Sequence, residues 1–125
     1  MNNELKKAVA ASEKWFSENA TVKNRDEYFQ RGKLGDTGIG AVYVYCQNEK
    51  AVYVGEASRP IKRRMHDQTS PHKKKPWWDS WDKVQFVNMA NQTDRLTLEL
   101  HLILGLQPTE NIKPCARNID EMFKT

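Results

Sequence analysis

Two short runs of β-branched and aromatic residues constrain the fold of this chain more than any other feature. AVYVYC occupies residues 41–46 and AVYVG occupies residues 51–55, and valine alternates with tyrosine in both. Such residues favour extended strands, and the four residues between the runs, QNEK, are all polar. The sequence therefore predicts an antiparallel β-hairpin.

The register of this hairpin decides where two of its tyrosines point. Residues of equal parity share one face of a strand. Tyr43 and Tyr53 therefore fall on one face only if paired residue numbers sum to an even value, which a loop of odd length would produce. Two phenols on one face can pack in a core or face a ligand, and the sequence leaves both interpretations open.

Hydrophobic periodicity predicts the remaining elements of the fold. KVQFV, at 83–87, is typical of a third strand, and a helix beginning just after Pro60 separates it from the hairpin. We therefore expect an α/β (α+β) domain with a small three-stranded antiparallel sheet flanked by helices and an extra N-terminal helix. The predicted helices are 3–18, 26–31, 61–69, 94–104 and 118–123.

Length and composition indicate one domain in a reducing setting. The chain has 125 residues, which predicts one domain overall, in which we expect a helical extension over 1–35 to pack on a domain over 36–125. No apolar run approaches the roughly 20 residues of a membrane span. The N-terminal residues lack the apolar core of a signal peptide, and the two cysteines, Cys46 and Cys115, form no CxxC pair. We expect a cytoplasmic protein with no membrane partner.

Positive charge is concentrated in one segment. Residues 59–75 hold seven Lys or Arg against one acid, Asp67, although the net charge of the whole chain is only +4. Such a patch favours a polyanionic partner, usually nucleic acid, while a solvated surface is the alternative. The tryptophans that follow suit base stacking or the edge of a core. The predicted contacts are Arg59, Lys62, His66, Lys73, Lys74, Lys75 and Trp77.

Glu99 lies in a helix that is apolar on nearly every side, TDRLTLELHLILGL. A carboxylate there is costly unless it is paired, solvated or bound to a metal. Pairing with Arg95 one turn away, or a position on the one wet face, is the simplest interpretation. His101 lacks a second metal ligand at the i+4 position, so we interpret it as a hydrogen-bonded or exposed histidine.

These pieces together resemble the GIY-YIG nuclease family over about residues 41 to 113. Its first motif appears as Ala41-Val42-Tyr43, with alanine in place of glycine, and its second as Tyr53-Val54-Gly55. IKRRM, at 61–65, matches the arginine helix. The block ELHLILGLQPTEN matches the family glutamate at Glu99 and its closing proline and asparagine at Pro108 and Asn111.

The resemblance implies hydrolysis of a phosphodiester with one divalent metal, Mg²⁺ or Mn²⁺, held by Glu99. It implies that a tyrosine positions or deprotonates the attacking water, for which we expect Tyr43, assisted by Tyr53. Arg64 or Arg63 would stabilise the phosphate, and Asn111 would brace the site. Glu56 departs from the pattern, because many members have Lys or Gln at that position.

Three functions therefore stand at the level of sequence. The first is a magnesium-dependent endonuclease acting on DNA, with RNA open as an alternative substrate. The second is a nucleic-acid-binding module of the same fold without catalysis. The third is a structural subunit that uses its N-terminal helix for oligomerisation, and the oligomeric state stays open.

Overall fold

A four-stranded antiparallel sheet is the centre of the fold. The structure, a computed structural model, describes residues 2–35, 37–61 and 76–111. The helices predicted over 61–69, apart from Ile61, and over 118–123 lie outside the described residues. The strands are β1 (Thr21–Asn24), β2 (Ala41–Gln47), β3 (Lys50–Ala57) and β4 (Lys83–Asn88), in the spatial order β1-β4-β2-β3.

The α+β class and the antiparallel sheet are confirmed, but the sheet has four strands rather than the predicted three. The additional strand is β1, with the sequence TVKN, which pairs with β4 from Thr21 opposite Phe86 to Asn24 opposite Lys83. Three of its four residues are exposed, so it lacks the apolar run that marks a strand in a sequence. Because β1 lies within residues 1–35, the sheet crosses the predicted boundary at residue 35.

Three helices among the described residues carry polar caps at their N-termini. They are α1 (Asn3–Asn19), α2 (Arg25–Phe29) and α3 (Gln92–Leu106). Asn2 and Asn91 accept backbone N–H bonds at the starts of α1 and α3, and Asn24 forms a capping box with Glu27 before α2. Helix α3 continues past the predicted end at Leu104, because Gly105 stays helical and the chain turns left-handed only at Gln107, with φ of 50°.

A β-bulge, rather than an odd loop, sets the register of the hairpin. The turn has two residues, Asn48 and Glu49, with φ of 51° and 65°, as a type I′ turn requires. Such a turn alone would pair odd with even positions, but the register shifts between Tyr45 and Cys46. Tyr45 therefore pairs with Tyr53, and Tyr43 and Tyr53 share one face of the sheet.

The two faces of the sheet bury different kinds of side chain. The phenol face, defined by Tyr43, Tyr45 and Tyr53, is covered by Tyr28 of α2 and by a tryptophan layer of Trp77, Trp78 and Trp81. The helix face is aliphatic and packs against α3. Its buried members are Val42, Val44, Cys46, Val54, Leu98, Leu102 and Ile103, together with Phe16 of α1.

Helix α1 packs on α3 and completes the helix face. Phe16 and Val9 are its buried residues. Its Ser12 hydroxyl lies 2.7 Å from Nδ1 of His101. The histidine is therefore hydrogen-bonded, which is one of the two interpretations made from the sequence. Across the described ranges, no helix combines the length and apolarity needed to traverse a bilayer.

Candidate functional site

Tyr43 and Tyr53 lie side by side on the phenol face. Their ring centroids are 6.4 Å apart with an interplanar angle of 33°. Gly55, which pairs with Tyr43 across the hairpin, makes room for this arrangement. A Cβ at residue 55 would lie 2.6 Å from the Tyr43 hydroxyl oxygen, so the phenol lies directly over the glycine. Gly55, which ends the second motif, is therefore needed for Tyr43 of the first motif to pack in this position.

Trp77 packs against Tyr53, one of these two phenols. Its indole stacks on Tyr53 at 5.2 Å with an interplanar angle of 13°. It is only 4% exposed, in the 3₁₀ helix Pro76–Asp79. We predicted Trp77 as a nucleic-acid contact, but burial against Tyr53 makes it a support of the phenol rather than a surface for a base.

Asn111 holds the outer edge of β3 beside Tyr53. Its amide group makes two bonds of 2.8 Å with the backbone of Val54, accepting from the N–H and donating to the carbonyl. The neighbouring Glu110 N–H donates to the carbonyl of Val52 at 2.8 Å. Glu110 and Asn111 therefore bond to the edge of β3 that faces away from β2.

Glu99 is carried by α3, on the side of the sheet opposite the phenols. Helix periodicity places it one turn after Arg95, on the flank that contacts β3, whereas His101 lies on the flank that contacts α1. Glu99 is half-buried. A site that contains Glu99 and both phenols would therefore lie at the edge of the sheet, at β3.

Arg95 pairs with Glu56 in the structure. The Arg95 Nε donates to Oε2 of Glu56 at 3.0 Å, and Nη1 donates to the carbonyls of Met89 and Ala90. This ion pair spans from α3 to β3 on the helix face. Among the described residues, the carboxylate that contacts Arg95 is thus Glu56, whereas Glu99 was the partner considered from the sequence.

A polar cavity of about 310 Å³ lies where β3 ends. Its lining residues are Glu56, Ala57, Ser58 and Arg59. Of the predicted nucleic-acid contacts, Arg59 therefore lines a polar concavity next to the candidate site. The predicted Lys62, Arg63, Arg64, His66, Lys73, Lys74 and Lys75 lie outside the described residues.

The resolved pKa shifts lie at the turn end of the hairpin. Burial raises the pKa of the Cys46 thiol, with smaller effects from neighbouring charges. A hydrogen bond to Glu49 raises the pKa of Lys83, whose ammonium lies 2.7 Å from that carboxylate. Both groups lie near the turn of the hairpin, whereas Glu56 lies at the other end of β3.

Sequence reasoning missed the pair of Arg95 with Glu56 and the role of Gly40 beside it. Gly40 precedes β2 with φ of +121°, and a Cβ there would collide with Nη1 of Arg95. The apolar residues around Arg95 in its helix indicate that this cation is buried. Its partner, Glu56, lies 39 residues away in the sequence, and only the fold brings the two together. No sequence spacing identifies such a pair.

Comparison with known proteins identifies the fold. Three solved structures of the GIY-YIG N-terminal endonuclease domain of UvrC from Thermotoga maritima match with a TM-score of 0.53 and 16% sequence identity. The matches cover 90% of this chain and 99–100% of that domain. Each is described as bound to its catalytic divalent cation, which in one is magnesium. The sequence matches no family model and no curated protein sequence.

This chain therefore has the fold of a GIY-YIG endonuclease domain. The resemblance seen in the two tyrosine motifs and the glutamate helix is confirmed at the level of the fold.

Proposed function

We propose that this protein is a divalent-metal-dependent endonuclease that hydrolyses phosphodiester bonds in DNA. The observation that carries the proposal is the pair of phenols, Tyr43 of β2 and Tyr53 of the edge strand β3, whose ring centroids are 6.4 Å apart in a GIY-YIG fold. A hydrophobic core needs apolar side chains at these positions. It does not need a glycine, Gly55, that leaves space for the Tyr43 ring, nor a second phenol, Tyr53, that stays partly exposed.

Glu99 suits a magnesium ion. Among the residues that the structure describes, no three His, Cys, Asp or Glu side chains are grouped to hold an ion between them. A single half-buried carboxylate is nevertheless a suitable protein ligand for Mg²⁺, which retains several waters and takes phosphate oxygens. When bound, the ion supplies Lewis-acid stabilisation of charge on the leaving oxygen. Mn²⁺ has the same ligand preference.

The phenols take different roles in this proposal. Tyr43 is 1% exposed, whereas Tyr53 is partly exposed at the edge strand. We therefore assign contact with the attacking water to Tyr53 and alignment of its ring to Tyr43, which reverses the order expected from the sequence. The usual pKa of a phenol is near 10, so a phenol can act as a base at neutral pH only if neighbouring cations lower that pKa.

The remaining side chains position and neutralise the substrate. Asn111 fixes the backbone next to Tyr53 through its two bonds to Val54. Arg59, at the end of β3, and the basic residues that follow would attract the phosphodiester backbone. Arg63 or Arg64 would stabilise the charge of the transition state. DNA as the substrate and the cytoplasm as the setting belong to the same proposal.

The test is cleavage of supercoiled plasmid and of branched DNA in Mg²⁺. We expect the wild type to cleave, and Glu99→Gln to cleave at least about a hundredfold more slowly while binding DNA equally well in EDTA. Glu18→Gln, which neutralises an exposed carboxylate in the last turn of α1, is the matched control and should keep wild-type activity. DNA binding without cleavage by the wild type would instead support the non-catalytic binding module.

A further inference from the structure

Ile39 is an exposed apolar side chain in the loop that leads into β2. It is 54% exposed, more than any other large apolar side chain among the described residues. The residues on either side of it are glycines, Gly38 and Gly40, with φ of 78° and 121°. Side chains other than that of glycine rarely adopt such backbone angles. The loop therefore bends around Ile39 and presents its side chain to solvent.

The loop is held on both sides of this exposed residue by residues at the end of β4. The Met89 N–H donates to the carbonyl of Gly40 at 2.8 Å, and the Asn88 amide group donates to the carbonyl of Gly35 at 3.3 Å. Gly40 also lies against the buried Arg95 guanidinium, where an added Cβ would collide with Nη1. The exposed side chain is thus carried by a supported backbone.

The loop adjoins the polar cavity at the end of β3. Because β2 and β3 are antiparallel, the start of β2 lies beside the end of β3. A Cβ at Gly38 would lie 3.4 Å from Cγ of Pro60, the residue that follows Arg59 in the cavity lining. Ile39 precedes Tyr43 by four residues, a chain reach of at most about 14 Å. An apolar side chain, a cation and the candidate site therefore share one end of the sheet.

This combination suits contact with duplex DNA. Cations attract the phosphate backbone, whereas an apolar side chain such as isoleucine can enter between two base pairs and partly unstack them. A lone exposed isoleucine is ordinary on a protein surface. Ile39 is distinguished by its supported loop and by its position next to the segment that carries Arg59.

We propose that Ile39 is a wedge that inserts between base pairs of duplex DNA beside the cleavage site. The inference rests on the proposed function, because it takes DNA as the substrate bound at this end of the sheet. Insertion kinks the duplex and is easiest where stacking is already weak, as at pyrimidine–purine steps and mismatches. The protein therefore selects its substrate by how easily the duplex is unstacked.

Binding to matched and mismatched duplexes in EDTA tests the proposal without cleavage. Two short duplexes, identical except for adjacent mismatched pairs in one of them, are compared by fluorescence anisotropy. We expect the wild type to bind the mismatched duplex about tenfold more tightly, because its bases are already partly unstacked. Ile39→Ala should bind the two duplexes within about twofold of each other, whereas Ile39→Leu should keep the wild-type preference, since leucine also acts as a wedge.

Val22→Ala is the matched control. Val22 is 50% exposed, but it lies in β1, at the opposite edge of the sheet from β3. This variant should keep the wild-type preference. Ile39→Lys separates insertion from attraction, because the new cation should tighten binding to both duplexes and abolish the preference. All these positions are exposed, and circular dichroism verifies that each variant is folded.

A second measurement reports the kink directly. Fluorescence energy transfer between the two ends of the matched duplex should rise when the wild type binds, and should not rise with Ile39→Ala. If Ile39→Ala keeps the mismatch preference, or weakens binding to both duplexes equally, Ile39 is not a wedge. If the wild type binds and cleaves DNA with neither a preference nor a rise in energy transfer, the wedge is wrong and the proposed function stands. If the wild type binds neither duplex, DNA as the substrate is wrong, and the wedge with it.

Discussion

Gly55 shows how a single residue can determine the arrangement of the phenols. Tyr43 lies over it so closely that no side chain fits between them. The backbone at Gly55 does not have a positive φ, so the glycine is needed for space and not for conformation. A tyrosine on one strand and a glycine opposite it on the next thus form one packing unit.

We predict that Gly55→Ala lowers the free energy of unfolding by about 1–3 kcal/mol, because the new methyl group displaces the Tyr43 ring. The measurement is urea denaturation followed by circular dichroism. Lys7→Ala, at an exposed position of α1, is the control and should change the free energy of unfolding by less than about 0.5 kcal/mol. Equal stabilities of Gly55→Ala and the wild type would contradict the packing described for Tyr43.

Strand β3 is the element on which the candidate site depends. It is an edge strand, and unpaired edges are mobile and prone to pair with other chains. Here Glu110 and Asn111 cover part of that edge by bonding to the backbone of Val52 and Val54. The strand that carries Tyr53 is therefore fixed from both sides.

We predict that Asn111→Ala frees this edge. The loss of both bonds to Val54 should cost about 1–3 kcal/mol and raise the hydrogen-exchange rate of the Val54 amide well above its wild-type value. Exchange is measured by two-dimensional NMR. Asn19→Ala, which removes a side-chain hydrogen bond to the Trp15 carbonyl at the exposed end of α1, is the control. It should leave the exchange rate of the Val54 amide unchanged. Equal protection of Val54 in both variants would show that Asn111 does not hold the edge.

The elements also show where reasoning from the sequence ends. The hairpin, the long helices and the α+β class followed from β-branched runs and helical periodicity, which are local properties of the chain. The face shared by Tyr43 and Tyr53 depended on a bulge at Tyr45 and Cys46, which no local pattern marks. The pairing of Arg95 with Glu56 depended on how α3 crosses β3, and the polar strand β1 is a strand only because β4 pairs with it.

At the scale of the whole molecule, the N-terminal residues contribute to the buried clusters on both faces of the sheet. Phe16 of α1 is buried with the valines of β2, and Tyr28 of α2 is buried with the tryptophan layer. The division into an extension over 1–35 and a domain over 36–125 stays a prediction, but both faces of the sheet use side chains from the first part.

We predict that the fragment 36–125 does not unfold cooperatively. Its loss of α1, β1 and α2 would expose apolar surface on both faces and remove two large aromatic side chains from the core. Thermal unfolding followed by near-ultraviolet circular dichroism measures this, with the full chain as reference. A sharp transition in the fragment would show that residues 36–125 are an independent domain.

The most direct test of the central claim is the single-turnover rate of DNA cleavage in Mg²⁺ by three tyrosine variants. Tyr43→Phe and Tyr53→Phe remove the hydroxyls of the two neighbouring rings. Tyr45→Phe removes a third from the same face, which donates to Tyr28 at 3.0 Å. We predict that the wild type cleaves, that Tyr53→Phe is about 10²–10⁴-fold slower, that Tyr43→Phe is also slower, and that Tyr45→Phe stays within about threefold of the wild type. Equal rates for all three variants, or no cleavage by the wild type, would contradict a nuclease site built on Tyr43 and Tyr53.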